Sequence, residues 1–272
     1  MTALEKWQAQ VRACRSERSE SEEQVWQRLA QWYGDWARHN DYVSRVLPCL
    51  LACVGEQSRV LEIGPGSGAF AIRLARSVGE VVALEPSPNM RTVLEHNLAN
   101  VGIGNVQILA QRAEDGLAEL DDAFDLALAS HSLYNIEPID RVIGDLMRLA
   151  RHVVFLMGVG AQSEWYHALH LRFCGKSPVP VASFCEFYPM LMEMGICADV
   201  EILMTRSNYV YDCEDSMLDW WQGHLGLDAS RRDELRAALM GKAERRGNHI
   251  GIYGVNRSAL MWIERERNQF SF

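Results

Sequence analysis

Three glycines at alternating positions, Gly64, Gly66 and Gly68, directly follow a short apolar run. Because glycine lacks a Cβ, the backbone can turn tightly there and let a ligand approach its N–H groups. A helix predicted to follow would aim further free N–H groups at a polar part of that ligand. Glu85 ends the next apolar run, where a carboxylate can accept hydrogen bonds from both hydroxyls of a ribose. The pattern predicts a nucleoside-binding site.

Two classes of nucleoside cofactor compete for this turn. Gly64, Gly66 and Ala69 match the GxGxxA pattern of dinucleotide-binding folds. Glu62, two positions before the first glycine, distinguishes the classes, because its carboxylate would repel a pyrophosphate. S-adenosylmethionine (SAM) has no phosphate and carries a sulfonium cation and an ammonium group. The sequence therefore favours SAM, while a dinucleotide, or a turn that binds nothing, stays an alternative.

Two segments, VLEIGPGSGAF (60–70) and VVALEPSPNM (81–90), resemble the first and second motifs of the class I SAM-dependent methyltransferases. The resemblance runs from residue 60 to about 157. It implies an α/β, doubly wound, mostly parallel seven-stranded sheet, with SAM as cofactor and S-adenosylhomocysteine (SAH) as product. It also implies that the cofactor-binding residues are Glu62, Gly64, Pro65, Gly66, Glu85, Pro86, Met90, Ala113, Glu114 and Ser130. For Glu114, an acidic turn that begins a helix is an alternative.

Residues 129–135, ASHSLYN, follow the fourth predicted strand, and ligands of open parallel sheets bind beyond such strand ends. The loop resembles the one that adjoins the sulfonium in small-molecule methyltransferases. His131 is the candidate base, needed only if the nucleophile must lose a proton, and Tyr134 is a candidate to orient the acceptor. Both can also be ordinary loop packing. The Pro-Pro-aromatic motif of amino-methylating DNA enzymes is absent here, which argues against a flipped-base substrate.

Aromatic side chains before the first motif and after the fifth strand are candidates to line the acceptor pocket: Tyr33, Trp36, Tyr42 and Trp165. Such rings would exclude water and stack on an apolar acceptor. Simple packing against the sheet is the alternative. His167 and His170 could share one helix face, but a third ligand is lacking and no metal is expected.

The elements that must position these residues alternate between strand and helix. Apolar runs predict strands at 59–63, 81–84, 106–110, 124–129 and 153–157, with helical patterns between them, as in a parallel sheet. Two later segments, 200–211 and part of 249–264, would supply the last strands. We expect an N-terminal helical cover (1–55), a SAM-binding core (56–160) and a region of substrate-side helical insertions with the last two strands (161–272).

Composition narrows the possible partners. The 272 residues carry a net charge of −9 without a basic stripe, which argues against nucleic-acid and anionic-membrane partners. Seven cysteines without a CxxC pair, and a polar start, predict a cytoplasmic protein. We expect a small-molecule acceptor and a monomer or homodimer. A protein or nucleic-acid methyltransferase, a SAM-binding protein without transfer activity and a dinucleotide oxidoreductase remain the alternatives.

Overall fold

The computed structural model describes residues 1–17, 21–121, 124–160 and 164–268. Its strands are β1 (Arg59–Ile63), β2 (Glu80–Leu84), β3 (Val106–Leu109), β4 (Phe124–Ser130), β5 (Ala150–Gly158), β6 (Asp199–Arg206), β7 (Tyr209–Tyr211), β8 (Glu244–Arg246), β9 (His249–Ile252) and β10 (Val255–Glu264). Its α-helices are α1 (Ala3–Glu17), α2 (Glu22–Arg38), α3 (Tyr42–Leu51), α4 (Ala71–Leu74), α5 (Pro88–Asn100), α6 (Ala113–Gly116), α7 (Ile139–Leu149), α8 (Glu164–Cys174), α9 (Phe184–Glu193), α10 (Glu214–His224) and α11 (Arg232–Met240).

Seven strands form the central sheet in the order β3-β2-β1-β4-β5-β10-β6. The first five strands of that order run parallel to their neighbours, and β10 is antiparallel to both β5 and β6. The middle strands are apolar because helices cover both of their faces, as in doubly wound folds. The predicted seven-stranded, mostly parallel sheet is confirmed.

The two faces of the sheet bury separate cores. On one face, Trp7 of α1 and Phe187 of α9 pack with apolar residues of α7, and the rings of Phe187 and Phe155 meet at 5.0 Å. On the other face, Val46 of α3 and Leu74 of α4 cover the strands. The N-terminal helices are therefore integral parts of the sheet's two flanking layers.

The segment 200–211, predicted as one strand, is two strands in different sheets. β6 ends at Arg206 and β7 begins at Tyr209, in a small sheet of order β7-β9-β8. The backbone N–H of Asn208 donates to Asn40 Oδ1 (2.8 Å), and that of Ser207 donates to the carbonyl of Gly254 (2.9 Å). Beyond these bonds the pairing of β6 with β10 does not continue. The apolar run in the sequence does not indicate where this pairing stops.

A third core joins that small sheet to α8, α10 and α11 around the buried side chains of Trp221, Leu235 and Phe173. The small sheet, α8, α10 and α11 thus form one packed unit, called here the insertion unit, whereas α9 packs on the central sheet beside α1. The division into regions 1–55, 56–160 and 161–272 stays a prediction. Among the described residues, none of the helices combines the length and apolar character needed to cross a bilayer.

Candidate cofactor and acceptor cavity

The glycine turn after β1 uses backbone conformations that favour glycine. Gly64, Gly66 and Gly68 have φ values of 64°, 57° and 88°. A Cβ built on Gly64 would lie 2.6 Å from Ser132 Cβ, so the loop after β4 packs directly on the turn. The N–H of Gly64 is held by the carbonyl of Leu84 at 2.9 Å. A side chain at Gly64 would therefore both strain the backbone and displace the neighbouring loop.

The Glu85 carboxylate is fixed against this turn. Its Oε1 accepts the N–H of Ser87 (3.0 Å) and its Oε2 accepts the N–H of Gly66 (3.3 Å). Only 6% of the residue is exposed. Since each carboxylate oxygen has two lone pairs, one backbone N–H does not exhaust the acceptor capacity of either oxygen.

The carboxyl group of Glu62 also lines the cavity, but among the described residues its Oε2 lacks a backbone hydrogen bond like the one that holds Glu85 Oε2. The residue is 2% exposed, and its Oε2 is buried without a hydrogen-bond partner among the described residues. Burial, and then the nearby charge of Glu85, raise the pKa of Glu62 to about 8. A nearby cation favours the ionised form of such a group. SAM carries two positive groups, so the residues present fit this cofactor.

A cavity of about 550 Å³ opens above these groups, within the range typical of small-molecule sites. Its lining includes every residue expected to bind the cofactor: Glu62, Gly64, Pro65, Gly66, Glu85, Pro86, Met90, Ala113, Glu114 and Ser130. The methyl carbon of Met90 would lie 3.2 Å from a Cβ on Gly66, so Met90 forms a wall beside the turn. The Glu114 carboxylate lies 3.6 Å from the guanidinium of Arg112.

The loop after β4 brings His131 and Tyr134 together on the cavity wall. His131 Nδ1 lies 2.8 Å from the Tyr134 hydroxyl, which accepts the N–H of Gly158 at 2.9 Å. His131 has a φ of 54°, and no other non-glycine residue among those described has a positive φ. Burial lowers the pKa of His131 to about 4, so the ring is neutral near pH 7.

Of the four aromatic residues expected around the acceptor, Trp36 and Tyr42 line the cavity. The ring of Tyr42 lies 5.6 Å from that of Trp36 and 5.7 Å from that of His131, which joins the three rings in one wall. The side chain of Tyr33 lies outside the described part of the chain. Trp36 and Tyr42 therefore remain the candidates for contact with the acceptor.

The expected pocket role of Trp165 needs correction. Its ring packs edge-on against Trp221, with 5.3 Å between centroids, and belongs to the third core. One face of α8 presents Trp165, Leu169 and Phe173 to that core, since these positions are four residues apart. The cavity instead receives His167 from the same helix.

His167 and His170 do not share one environment. His170 lies among the rings of Tyr166 (4.5 Å) and His224 (6.0 Å), inside the insertion unit. Among the described residues no group of three His, Cys, Asp or Glu side chains is arranged to hold a metal ion. The i, i+3 spacing predicts a common helix face. Because α8 lies between the cavity and the third core, His167 lines the cavity while His170 packs beside Tyr166 and His224.

Several lining residues carried no recognisable signal in the sequence. They come from α2, from the segment before α9 and from the beginning of β10: Val25, Trp26, Pro180, Val181, Ala182, Ser183, Asn256, Arg257 and Ser258. Because β10 is antiparallel, its beginning lies at the edge where β5 ends, and Ser258 pairs with Gly158. The rule that ligands bind at the carboxyl ends of strands does not find such residues.

This strand order, a glycine turn after β1 and an acid after β2 together define a class I, SAM-binding α/β fold. Residues 61–156 match the family model described as a methyltransferase domain, so this part of the chain is a methyltransferase domain of the class I, SAM-dependent type. SAM is the methyl donor of this family.

The chain is similar in sequence to several named methyltransferases, each over part of its length. The chain is 27% identical over 110 residues to the probable cobalt-precorrin-6B C(15)-methyltransferase (decarboxylating) of Methanothermobacter thermautotrophicus, covering 39% of this chain and 57% of that protein. It is 29% identical over 102 residues to the ubiquinone/menaquinone biosynthesis C-methyltransferase of Haemophilus ducreyi, covering 36% and 39%. The YcgJ protein of Bacillus subtilis shares the fold with a TM-score of 0.54 and 18% identity, over 82% of this chain and 99% of that one. The matches to these two curated relatives therefore span about half of their lengths or less.

Proposed function

We propose that this protein transfers the methyl group of SAM to a small-molecule acceptor bound in the cavity. The observation that carries the proposal is the buried Oε2 of Glu62 beside the glycine turn, which has no hydrogen-bond partner among the described residues and suits a cationic nucleoside, because a nearby cation favours the ionised carboxylate. The cover supports a small acceptor. Trp26 and Trp36 of α2 line the cavity, and a Cβ on Gly34 of α2 would lie 3.5 Å from Ser67 Cβ in the turn.

Each predicted cofactor residue has a task in this proposal. When bound, SAM supplies an electrophilic methyl group on its sulfonium. Glu85 accepts the ribose hydroxyls, and Glu62 balances positive charge on the methionine part. The backbone of Gly64 and Gly66 admits the ligand closely. The other side chains frame the base or the methyl-bearing end: Pro65, Pro86, Met90, Ala113, Glu114 and Ser130.

His131 acts in this proposal as a neutral hydrogen-bond donor rather than as a base. In this proposal the Tyr134 hydroxyl, whose oxygen accepts the N–H of Gly158, donates its hydrogen to His131 Nδ1. The imidazole then carries its proton on Nε2 and can donate to the acceptor. With a pKa near 4, His131 is a weak proton acceptor at pH 7. The ring thus orients a nucleophile that does not depend on His131 for deprotonation.

Two other functions remain as rivals within the proposal. A protein or nucleic-acid acceptor would need an open groove, and the net charge of −9 disfavours a polyanion. A SAM-binding protein without transfer activity would share the turn and both acids. We include in the proposal a cytoplasmic location and a monomeric or homodimeric state.

The test separates cofactor binding from transfer. Calorimetry with SAM, SAH and NAD(P) identifies the cofactor, and we expect heat with the first two alone. Formation of SAH is then followed with a size-filtered metabolite extract and, separately, with its protein and nucleic-acid fractions. SAH formation with the small-molecule fraction supports the proposal. Binding without turnover in any fraction would favour the non-catalytic rival.

A further inference from the structure

The charged side chains that line the cavity are divided unevenly between its two halves. Glu62 lies near the end of β1, and Glu85 and the pair of Arg112 and Glu114 follow β2 and β3, on the half that holds the cofactor in the proposed function. The other half is walled by α2, α3, α8, the segment before α9 and β10. Among the described residues of that half, Arg257 is the single fully charged side chain.

Arg257 occupies the beginning of β10, beside the end of β5. Its backbone carbonyl accepts the N–H of Val159 at 2.9 Å, which fixes the residue at this edge of the sheet. The guanidinium makes no hydrogen bond or ion pair with the described residues, in contrast to Arg231 and Arg232, which bind carboxylates at 2.8 Å and 2.6 Å. Arg257 is exposed as well as lining the cavity, so it lies at the mouth.

The walls between this mouth and the loop after β4 are mostly apolar. They include Trp26, Trp36, Val159 and Val181. An apolar cavity with one unpaired cation is complementary to an apolar molecule with one anionic group. A single guanidinium, with its planar fork of donors, matches a singly charged carboxylate in both charge and geometry.

We propose that the acceptor is a small molecule with an apolar or aromatic body and one carboxylate, and that Arg257 binds this carboxylate. The inference rests on the proposed function for the identity of the cofactor half. In the sheet β5 separates β4 from β10, so the backbones that carry His131 and Arg257 are about 10 Å apart. The carboxylate therefore anchors the acceptor, and the atom that is methylated lies at its opposite end, next to His131.

The test compares Arg257→Gln with Arg76→Gln, which removes an equal charge from an exposed site outside the cavity. SAH-saturated protein is titrated with a panel of matched pairs, each an aromatic or alkyl carboxylic acid and its primary amide, by calorimetry. We expect the unaltered protein to bind the best acids at least about tenfold more tightly than their amides. Arg257→Gln should abolish the preference, and Arg76→Gln should retain it.

Each contrary result has a separate meaning. If SAH binds but no acid is preferred to its amide, or if Arg257→Gln keeps the preference, the carboxylate inference is wrong while the proposed function stands. If SAH does not bind to the unaltered protein, the proposed function itself fails. Equal SAH affinity in the two variants shows that both keep the folded cofactor site, so a lost acid preference in Arg257→Gln is then a loss on the acceptor half.

Discussion

At the scale of single residues, Glu62 links the cofactor site to the stability of the free protein. Burial raises its pKa from the ordinary 4.5 to about 8, so between these values the folded protein holds a proton that the unfolded chain has lost. The free energy of unfolding therefore falls as pH rises through this window, by about 2 kcal/mol between pH 6 and pH 8. Glu62→Gln should remove this slope in urea denaturation without ligand. A slope that persists in Glu62→Gln would contradict it.

The variant Glu62→Gln should also weaken SAM binding and change its dependence on pH. A cationic ligand favours the ionised carboxylate, so SAM binding to the unaltered protein should release a proton and strengthen as pH rises toward 8. Glu62→Gln should bind SAM at least about tenfold more weakly at pH 8, with no proton release. Calorimetry in two buffers of different ionisation enthalpy measures both quantities. An unchanged affinity of Glu62→Gln for SAM would show that Glu62 does not contribute to cofactor binding.

The link between His131 and Tyr134 can be tested without knowing the acceptor. We expect ¹⁵N NMR to show His131 protonated on Nε2 and bare on Nδ1, and neutral at every pH well above about 4. Tyr134→Phe removes the donor to Nδ1, so the two tautomers should then mix. The His131 signal is assigned by its loss in His131→Gln. A ring protonated on Nδ1 in the unaltered protein would restore the base hypothesis.

Some site residues were predictable because their signal is local, and others were not. Glu62, Gly64 and Glu85 lie within a few positions of a strand end, where charge and chain geometry indicate the ligand directly. Trp165 was placed in the pocket because the sequence does not say which face of α8 meets Trp221. Arg257 was missed because an antiparallel strand contributes its beginning, and the sequence does not state the direction of β10.

At the scale of elements, the turn after β1 and the loop after β4 are packed as one unit. Gly64→Ala should cost roughly 1–3 kcal/mol of stability, since alanine is strained at a φ of 64° and its Cβ would lie 2.6 Å from Ser132 Cβ. SAH affinity should fall with it. Adding Ser132→Gly should recover part of both losses, by thermal denaturation and calorimetry. No recovery would mean that backbone strain alone is responsible.

The cover helix α2 is attached to the insertion unit through Trp32. Its ring stacks on Trp220 at 4.7 Å and on Tyr209 at 5.8 Å. Trp32→Ala should raise hydrogen exchange across α2 and weaken SAH binding, because α2 supplies part of the cavity wall. Trp262→Ala, which removes a partly buried ring beside His152 (5.7 Å) outside the cavity, is the matched control. Equal exchange of α2 in both variants would show that Trp32 does not anchor the cover.

The strands of the parallel half were predictable because burial on both faces makes their sequences continuously apolar. The same rule wrongly predicts one strand at residues 200–211, where two strands of different sheets follow each other almost without a gap. Their separation depends on Asn40 and Gly254, which are distant in sequence and meet only in the folded chain. Local pattern predicts which segments are extended, and long-range hydrogen bonds decide which sheet receives them.

At the scale of the whole molecule, residues before the glycine turn and residues after β5 meet over the cavity. Asn40 and Asp41, at the junction of α2 and α3, bind the backbone of Asn208 and Arg206 at 2.8 Å and 2.7 Å. The cofactor half is built from one continuous stretch that matches the family model, whereas the acceptor half is assembled from distant parts. In the proposed function, acceptor choice can therefore change through the flanking segments while the cofactor turn stays the same.

The position of β10 has a consequence for synthesis on the ribosome. Although it follows all other strands in sequence, it lies between β5 and β6. A nascent chain that has not yet passed residue 264 leaves both neighbours with exposed edges, which are open to wrong pairing. A partly synthesised chain is thus open to aggregation at both edges until β10 is available to pair with them.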